Sequence, residues 1–221
     1  MMIISCGDES CVIAGAVVTR VAGSGSSGSL DGIGTAASFN GPEGIAIDSN
    51  GVMYVSEYAS SIIRKITFSA GLYSVTTLAG TALATGSRDG SGSSALFYGP
   101  VQLAVSSNGL LYVGDFLGSK VRAIQTLTGN SPSILLHLWL INRINERAGY
   151  VTTVAGTSVL GYSDASPYGF TGPSGLALSS DQSQLYVVDG NGNRVVRAVT
   201  LYSKPTAGRI CRICICGAEI A

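Results

Sequence analysis

Charge is scarce in this chain. Of 221 residues only 12% are charged, and thirteen basic residues balance thirteen acidic ones. A neutral chain without a Lys/Arg run exerts no net pull on a nucleic-acid backbone or an anionic membrane, so neither partner is expected. Histidine and tryptophan occur once each, at His137 and Trp139. One histidine excludes a three-histidine catalytic zinc by count, and any nucleophile–His–acid arrangement has to use His137 itself. Long apolar runs are missing as well. Val12–Val18 and the His137-interrupted Ile134–Ile141 fall far short of the roughly 20 residues that cross a bilayer, so no membrane insertion is expected. Met1–Cys6 carries no positive region, and Asp8 and Glu9 sit where the apolar core of a secretory leader belongs; no such leader is expected. These absences assign no compartment.

What the chain has in quantity is glycine, 30 residues of it, and repetition. Val18-Thr-Arg-Val-Ala-Gly23 returns as Val75-Thr-Thr-Leu-Ala-Gly80 and as Val151-Thr-Thr-Val-Ala-Gly156. Behind each comes a Gly/Ser-rich run with an aspartate (Asp31, Asp89, Asp164), then a phenylalanine (Phe39, Phe97, Phe170), then Gly-Pro. A small-apolar run follows, with a Tyr-Val pair (Tyr54-Val55, Tyr112-Val113, Tyr186-Val187) and an arginine among apolar residues (Arg64, Arg122, Arg197). Repetition of this length marks one supersecondary unit per repeat. The five cysteines, Cys6, Cys11, Cys211, Cys214 and Cys216, all lie outside the repeats, so disulfides do not staple them.

Within the second copy, Tyr73–Leu78 alternates and is β-branched, a strand by pattern and propensity. Gly80–Gly99 reads as a long loop. Val101–Val105 is a short apolar run, Ser106-Ser-Asn-Gly109 a tight turn, and Leu110–Val113 and Lys120–Ile124 are two further strands. This predicts a four-stranded antiparallel meander per repeat, too small to bury both faces alone. Asp48-Ser-Asn-Gly51 is the corresponding turn in the first copy, and Ser179–Ser183 in the third. Four-stranded sheets repeated along a chain point to a β-propeller.

The strings Gly-Pro-x-Gly/Gln-Ile/Leu-Ala, Tyr-Val-x-Asp/Glu and Ile/Val-Arg-Lys/Ala resemble the NHL repeat, and the Val-Thr-Thr-Leu-Ala-Gly strand is similar to its extended form. The third copy departs, with Gln182-Ser-Gln-Leu185 where the others carry Asn-Gly. The resemblance implies one blade per repeat, usually in a ring of about six, and binding rather than catalysis. The expected organisation is an N-terminal extension (1–15), repeats at about 16–72, 73–126 and 149–201, an insertion at 127–148, and a tail at 202–221. The fold class expected is all-β: a partial, open-arc β-propeller of three four-stranded antiparallel blades, in which Val17–Ala22 would complete the last sheet. That arrangement predicts twelve strands at most. It places Ala46, Val55, Ala104, Val113, Ala177 and Val187 between sheets, and confines any helix to Ile134–Arg147. Neither Ile13–Val18 nor Arg209–Cys216 is a polar cap, so self-association through the open ends is expected.

Candidate ligand positions follow from the same alignment. Asp31, Asp89 and Asp164 sit in the long loops, and Glu57, Asp115 and Asp189 in the turns after Tyr-Val. Propeller geometry would put all six on one face, suited to a cation or a basic ligand. The same residues also have a local role open to them, aspartate bonding nearby backbone N–H groups and Arg64, Arg122 and Arg197 pairing with acids. Inner strands line a channel, and the residues ahead of their cores vary: Glu43-Gly44, Val101-Gln102, Ser174-Gly175. Glu43 and Gln102 are therefore the channel candidates.

Other motifs lead nowhere chemical. Gly23-Ser-Gly-Ser-Ser-Gly28 matches a phosphate-binding fingerprint but runs into Ser29–Gly34, which is loop-like rather than a helix start. Cys211-x-x-Cys214-x-Cys216 lacks a fourth zinc ligand nearby. No cofactor and no metal are expected. The function expected is a non-enzymatic scaffold binding a protein or small ligand through loops of one face. The alternatives are a metal-dependent propeller hydrolase or lyase with a central-channel site, which needs more converging carboxylates than Glu43 supplies, and a nucleic-acid-binding NHL module, which needs a basic face.

Overall fold

Alternating β-branched residues become strands throughout the repeats. The structure, a computed structural model, describes residues 17–126, 148–157, 161, 169–191 and 194–201. The first sheet holds β1 (Gly32–Ile33), β2 (Pro42–Ile47), β3 (Met53–Glu57), β4 (Ile62–Ser69) and β5 (Leu72–Ala79), in the order β1-β5-β4-β3-β2. The second repeats that plan with β6 (Gly90–Ser91), β7 (Pro100–Val105), β8 (Leu110–Asp115), β9 (Lys120–Gln125) and β10 (Tyr150–Ala155), ordered β6-β10-β9-β8-β7. The third contains β11 (Pro173–Leu178), β12 (Gln184–Asp189) and β13 (Val195–Thr200). Every pairing within the sheets is antiparallel.

Several expectations are corrected here. Thirteen strands are described, one more than the maximum expected, because two-residue strands β1 and β6 add to the outer edges. Single 3-10 turns also follow them at Gly34–Ala36 and Gly92–Ser94. The Val-Thr-Thr strand does not open its own repeat's meander. β5 pairs with β4 of the preceding repeat, and β10 likewise with β9. For β5 the reason is local: only Ala70 and Gly71 separate it from β4, both at positive φ (51° and 80°). That geometry matches the twist of a tight hairpin, whereas a long loop separates β5 from β7.

Val17–Ala22 does not complete the third sheet either. Val17 and Val18 are 82% and 98% exposed, and the third sheet has three strands among the described residues. The segment expected to hold any helix lies outside the described residues, as do His137, Trp139 and the five cysteines.

The sheets stack face to face, with β2, β7 and β11 side by side as the inner strands. Tyr54, Ile63 and Ala79 of the first sheet pack on Leu103, Leu111, Val113 and Ile124 of the second. Tyr112, Val121 and Ala123 of the second sheet in turn meet Leu185 and Val187 of the third. Glycine permits the close approach at the axis: a Cβ on Gly44 would lie 2.3 Å from the Val101 carbonyl oxygen, and one on Gly114 2.6 Å from that of Pro173.

Val55, Val113 and Val187 are buried as expected, but Ala46 and Ala104 are half-buried and Ala177 is exposed. These alanines oppose Tyr54, Tyr112 and Tyr186, so they share the face that each sheet turns toward the next. The third sheet has no successor among the described residues. Its tyrosine is 45% exposed, against 1% for Tyr54 and 5% for Tyr112.

Urea denaturation of dilute protein should therefore separate three equivalent substitutions. Tyr54→Ala and Tyr112→Ala are each expected to lose about 3 kcal/mol or more, and Tyr186→Ala less than about 1 kcal/mol.

Candidate functional site

Each repeat builds a buried arginine clamp from residues widely separated in sequence. Arg64, on β4, donates to the carboxylate of Glu57 at the end of β3 and, at 2.9 Å, to Asp31 Oδ1. It also donates to the carbonyls of Leu30 and Ser38, at 2.8 and 3.0 Å. Its guanidinium lies over the Phe39 ring, 5.2 Å from the centroid, a cation–π contact that covers the planar face. The second Glu57 oxygen accepts from Ser29 Oγ and the Asn40 backbone N–H, at 2.9 and 3.1 Å. Asp31 goes on to accept from Thr77 Oγ1 on β5 at 3.0 Å. One ion thus ties the entry loop, β3, β4 and the outer strand together.

The second repeat copies this arrangement. Arg122 donates to Asp115 Oδ2 at 3.1 Å, Asp89 Oδ1 at 2.6 Å and the Leu96 carbonyl at 3.1 Å, over the Phe97 ring at 5.3 Å. Asp89 accepts from the N–H and hydroxyl of Thr153 on β10. In the third repeat Arg197 stands 3.8 Å from Asp189 Oδ2, over Phe170, and donates to the Gly169 carbonyl. Asp189 Oδ1 also accepts from the N–H groups of Thr171 and Gly172. Asp164 lies outside the described residues.

Glu57, Asp115 and Asp189 are fully buried and salt-bridged to arginine, while Asp31 and Asp89 are half-exposed and bonded to the same arginines. The five described carboxylates among those considered as one ligand face are the anionic half of a clamp. Among the described residues, no group of three or more His, Cys, Asp or Glu is placed to hold a metal ion. The clamp's serine and phenylalanine members had a signal in the sequence: Ser29, Ser87 (which donates to Asp115 Oδ2 at 3.3 Å), Phe39, Phe97 and Phe170. They recur in register with the acids and arginines.

Burial pushes the Asp115 carboxyl up to about 6, against the Tyr98 N–H and Arg122, which pull it down. Burial likewise raises the Tyr54 and Tyr112 hydroxyls to about 12, so both are neutral at physiological pH. The exposed Asp181 is lowered to about 2 by hydrogen bonds from Ser179 and Ser183, which hold the turn before β12.

On the inner strands, Glu43 is exposed on β2, and Gln102 and Ser174 are half-buried on β7 and β11. Beside Glu43, the open face of the first sheet carries a cleft of about 440 Å³ floored by Phe39, Met53, Val55 and Ile66, with Arg20 and Glu43 among its lining.

No family model matches the chain, and no curated protein does. Solved structures do. An auxiliary nutrient binding protein from Bacteroides thetaiotaomicron is 18% identical, with a TM-score of 0.54 over 70% of this chain and 36% of its own. Another, from Bacteroides ovatus, is 19% identical, with a TM-score of 0.53 over 72% of this chain and 37% of its own. A Bacteroides thetaiotaomicron protein of unknown function is 22% identical, with a TM-score of 0.54 over 72% and 34%. The fold is propeller-like. The chain spans little more than a third of the length of these structures.

Arg122→Met strands a buried carboxylate, and is expected to lose about 3–5 kcal/mol in urea unfolding at pH 7.5. The loss should shrink at pH 5, where Asp115 takes up a proton. In the unaltered protein, the folded state binds that proton more tightly than the unfolded chain does, whose carboxyl titrates near 3.8. The Asp115 contribution therefore falls as pH rises from about 4 through 6. Asp115→Asn should remove this component, visible as the difference between the two proteins' urea midpoints across that window.

Proposed function

We propose that the chain is a non-enzymatic, NHL-type propeller scaffold, three blades in an open arc, that binds a protein or small ligand through the loops of one face. The observation that carries this reading is the state of the carboxylates. Those that a hydrolytic or metal site would recruit are engaged by arginine, three of them in full burial. Among the described residues the axis offers one exposed acid, Glu43, with Gln102 and Ser174 beyond it, a weakly polar rim suited to reversible contact rather than to bond cleavage. The open arc is supported by two closed sheet junctions followed by an uncovered one, where Val196, Tyr186 and Val188 are 71%, 45% and 43% exposed. It is also supported by the larger size of the propeller-like structures that the chain resembles.

Dialysis against a chelator is expected to leave the melting temperature unchanged, and the purified chain to turn over neither simple lactones nor simple esters. Stoichiometric calcium or zinc that survives dialysis in the wild-type protein and is lost in Glu43→Gln would overturn the scaffold reading in favour of a channel enzyme.

A further inference from the structure

The Val-Thr-Thr/Arg motif occurs three times, and the described sheets use two of the copies. Val75 on β5 pairs with Ile66 and Val151 on β10 with Ile124, and both valines are buried, at 1% and 0%. Val18, at the same position in the first copy, is 98% exposed. Yet the chain leaves all three copies in the same way. Gly23, Gly80 and Gly156 have φ of 105°, 92° and 100°. Gly23 N–H donates to the Gly34 carbonyl at 3.0 Å, as Gly80 N–H does to Gly92 at 3.1 Å. The N-terminal copy is thus anchored at its base as an outer strand would be, with no strand paired to it among the described residues. At the other end, Val199 on β13 holds the register position of Ile66 and Ile124, and its outer side has no strand among the described residues.

A second mismatch lies on the sheet faces. Tyr54 packs against Leu103, Leu111, Val113 and Ile124 of the next sheet. The same positions in the first sheet are Ile45, Met53, Val55 and Ile66, and they line the open cleft. Tyr186, the third tyrosine of the series, is 45% exposed and has no socket among the described residues. One end of the array presents a socket and a strand without a sheet, and the other a knob and a sheet without its outer strand.

We propose that the third sheet of one copy stacks on the first sheet of a second copy. Tyr186 enters the cleft, and Val18–Ala22 of the second copy joins β13 as its fourth strand, by edge-strand addition. The proposal rests on the open-arc reading above. Because the two surfaces differ, the contact is heterologous and runs head to tail. Two departures make it weaker than the internal junctions. Val188 stands where Ser56 and Gly114 admit the neighbouring inner strand. Arg20 replaces Thr77 and Thr153, so strand addition sets a second guanidinium opposite Arg197.

Sedimentation equilibrium of the full chain between about 1 and 100 µM tests this. Wild-type protein is expected to associate with rising concentration. Val18→Asp and Tyr186→Asp alter exposed side chains, and each alone should weaken association about tenfold or more with an unchanged circular dichroism spectrum. An equimolar mixture should regain a two-chain species, since Val18→Asp keeps an intact third sheet and Tyr186→Asp an intact strand and cleft. A wild-type chain that stays monomeric up to the highest concentration overturns the proposal, and residues 202–221 filling the β13 edge would give that result. Association insensitive to both substitutions overturns it too, as does a mixture that restores nothing. None of these outcomes bears on the metal and lactone measurements, so the scaffold reading fails or stands separately.

Discussion

A fully buried guanidinium in each of the first two sheets holds the entry loop to the strands it feeds. Removing an arginine from water is expensive unless its donors are met, and Arg64 and Arg122 each meet two carboxylates and at least one carbonyl. Those partners come from the entry loop and from β3 or β8, while the arginines themselves stand on β4 and β9. The loop aspartate is anchored to the outer strand through threonine, and the turn acid caps the start of the inner strand through backbone N–H groups. The glycine-rich loops can therefore be long and weakly patterned without leaving the sheets free to slide. The phenylalanine over each guanidinium belongs to the same device, since it seals the ion's face with apolar surface.

The clamp organises each sheet from within; stacking joins the sheets. A four-stranded unit buries one face only by lending the other to a neighbour, and the tyrosine series records that exchange. The side chain that fills the second sheet's socket from the first, and the third's from the second, is left half-uncovered at the end of the array. Every junction needs a donor face and an acceptor face, so each sheet depends on its neighbours for the burial of its second face.

Much of the fold was legible because repetition supplies its own alignment. Strands such as Lys120–Gln125 and Gln184–Asp189 fall where alternation and the Tyr-Val pair put them. The assignment of the Val-Thr-Thr strand was not legible from pattern, since a strand reads the same whichever sheet accepts it. The two-residue hairpin at Ala70-Gly71 decided it, because two consecutive positive-φ residues return the chain at once beside β4. The acids were legible as a recurring set, and pairing with the recurring arginines was one of the two roles the sequence left open to them, beside a ligand face. A carboxylate at a turn looks alike in sequence whether it faces solvent or an arginine, and only the three-dimensional placement of Arg64 and Arg122 shows that Glu57 and Asp115 face inward.

By itself the sequence determined the all-β class of fold, the recurrence of its units and the positions of most of their strands, though not the two-residue β1 and β6. All three follow from local alternation, turn residues and the recurrence of both. Tertiary structure alone decided which strand completes which sheet, which carboxylates are engaged, and where apolar surface stays open. Each of these depends on contacts between residues apart in sequence, such as Glu57 with Arg64, Asp89 with Thr153 and Tyr54 with Ile124. Contacts across such distances are set by how the sheets stack and leave no local period to read.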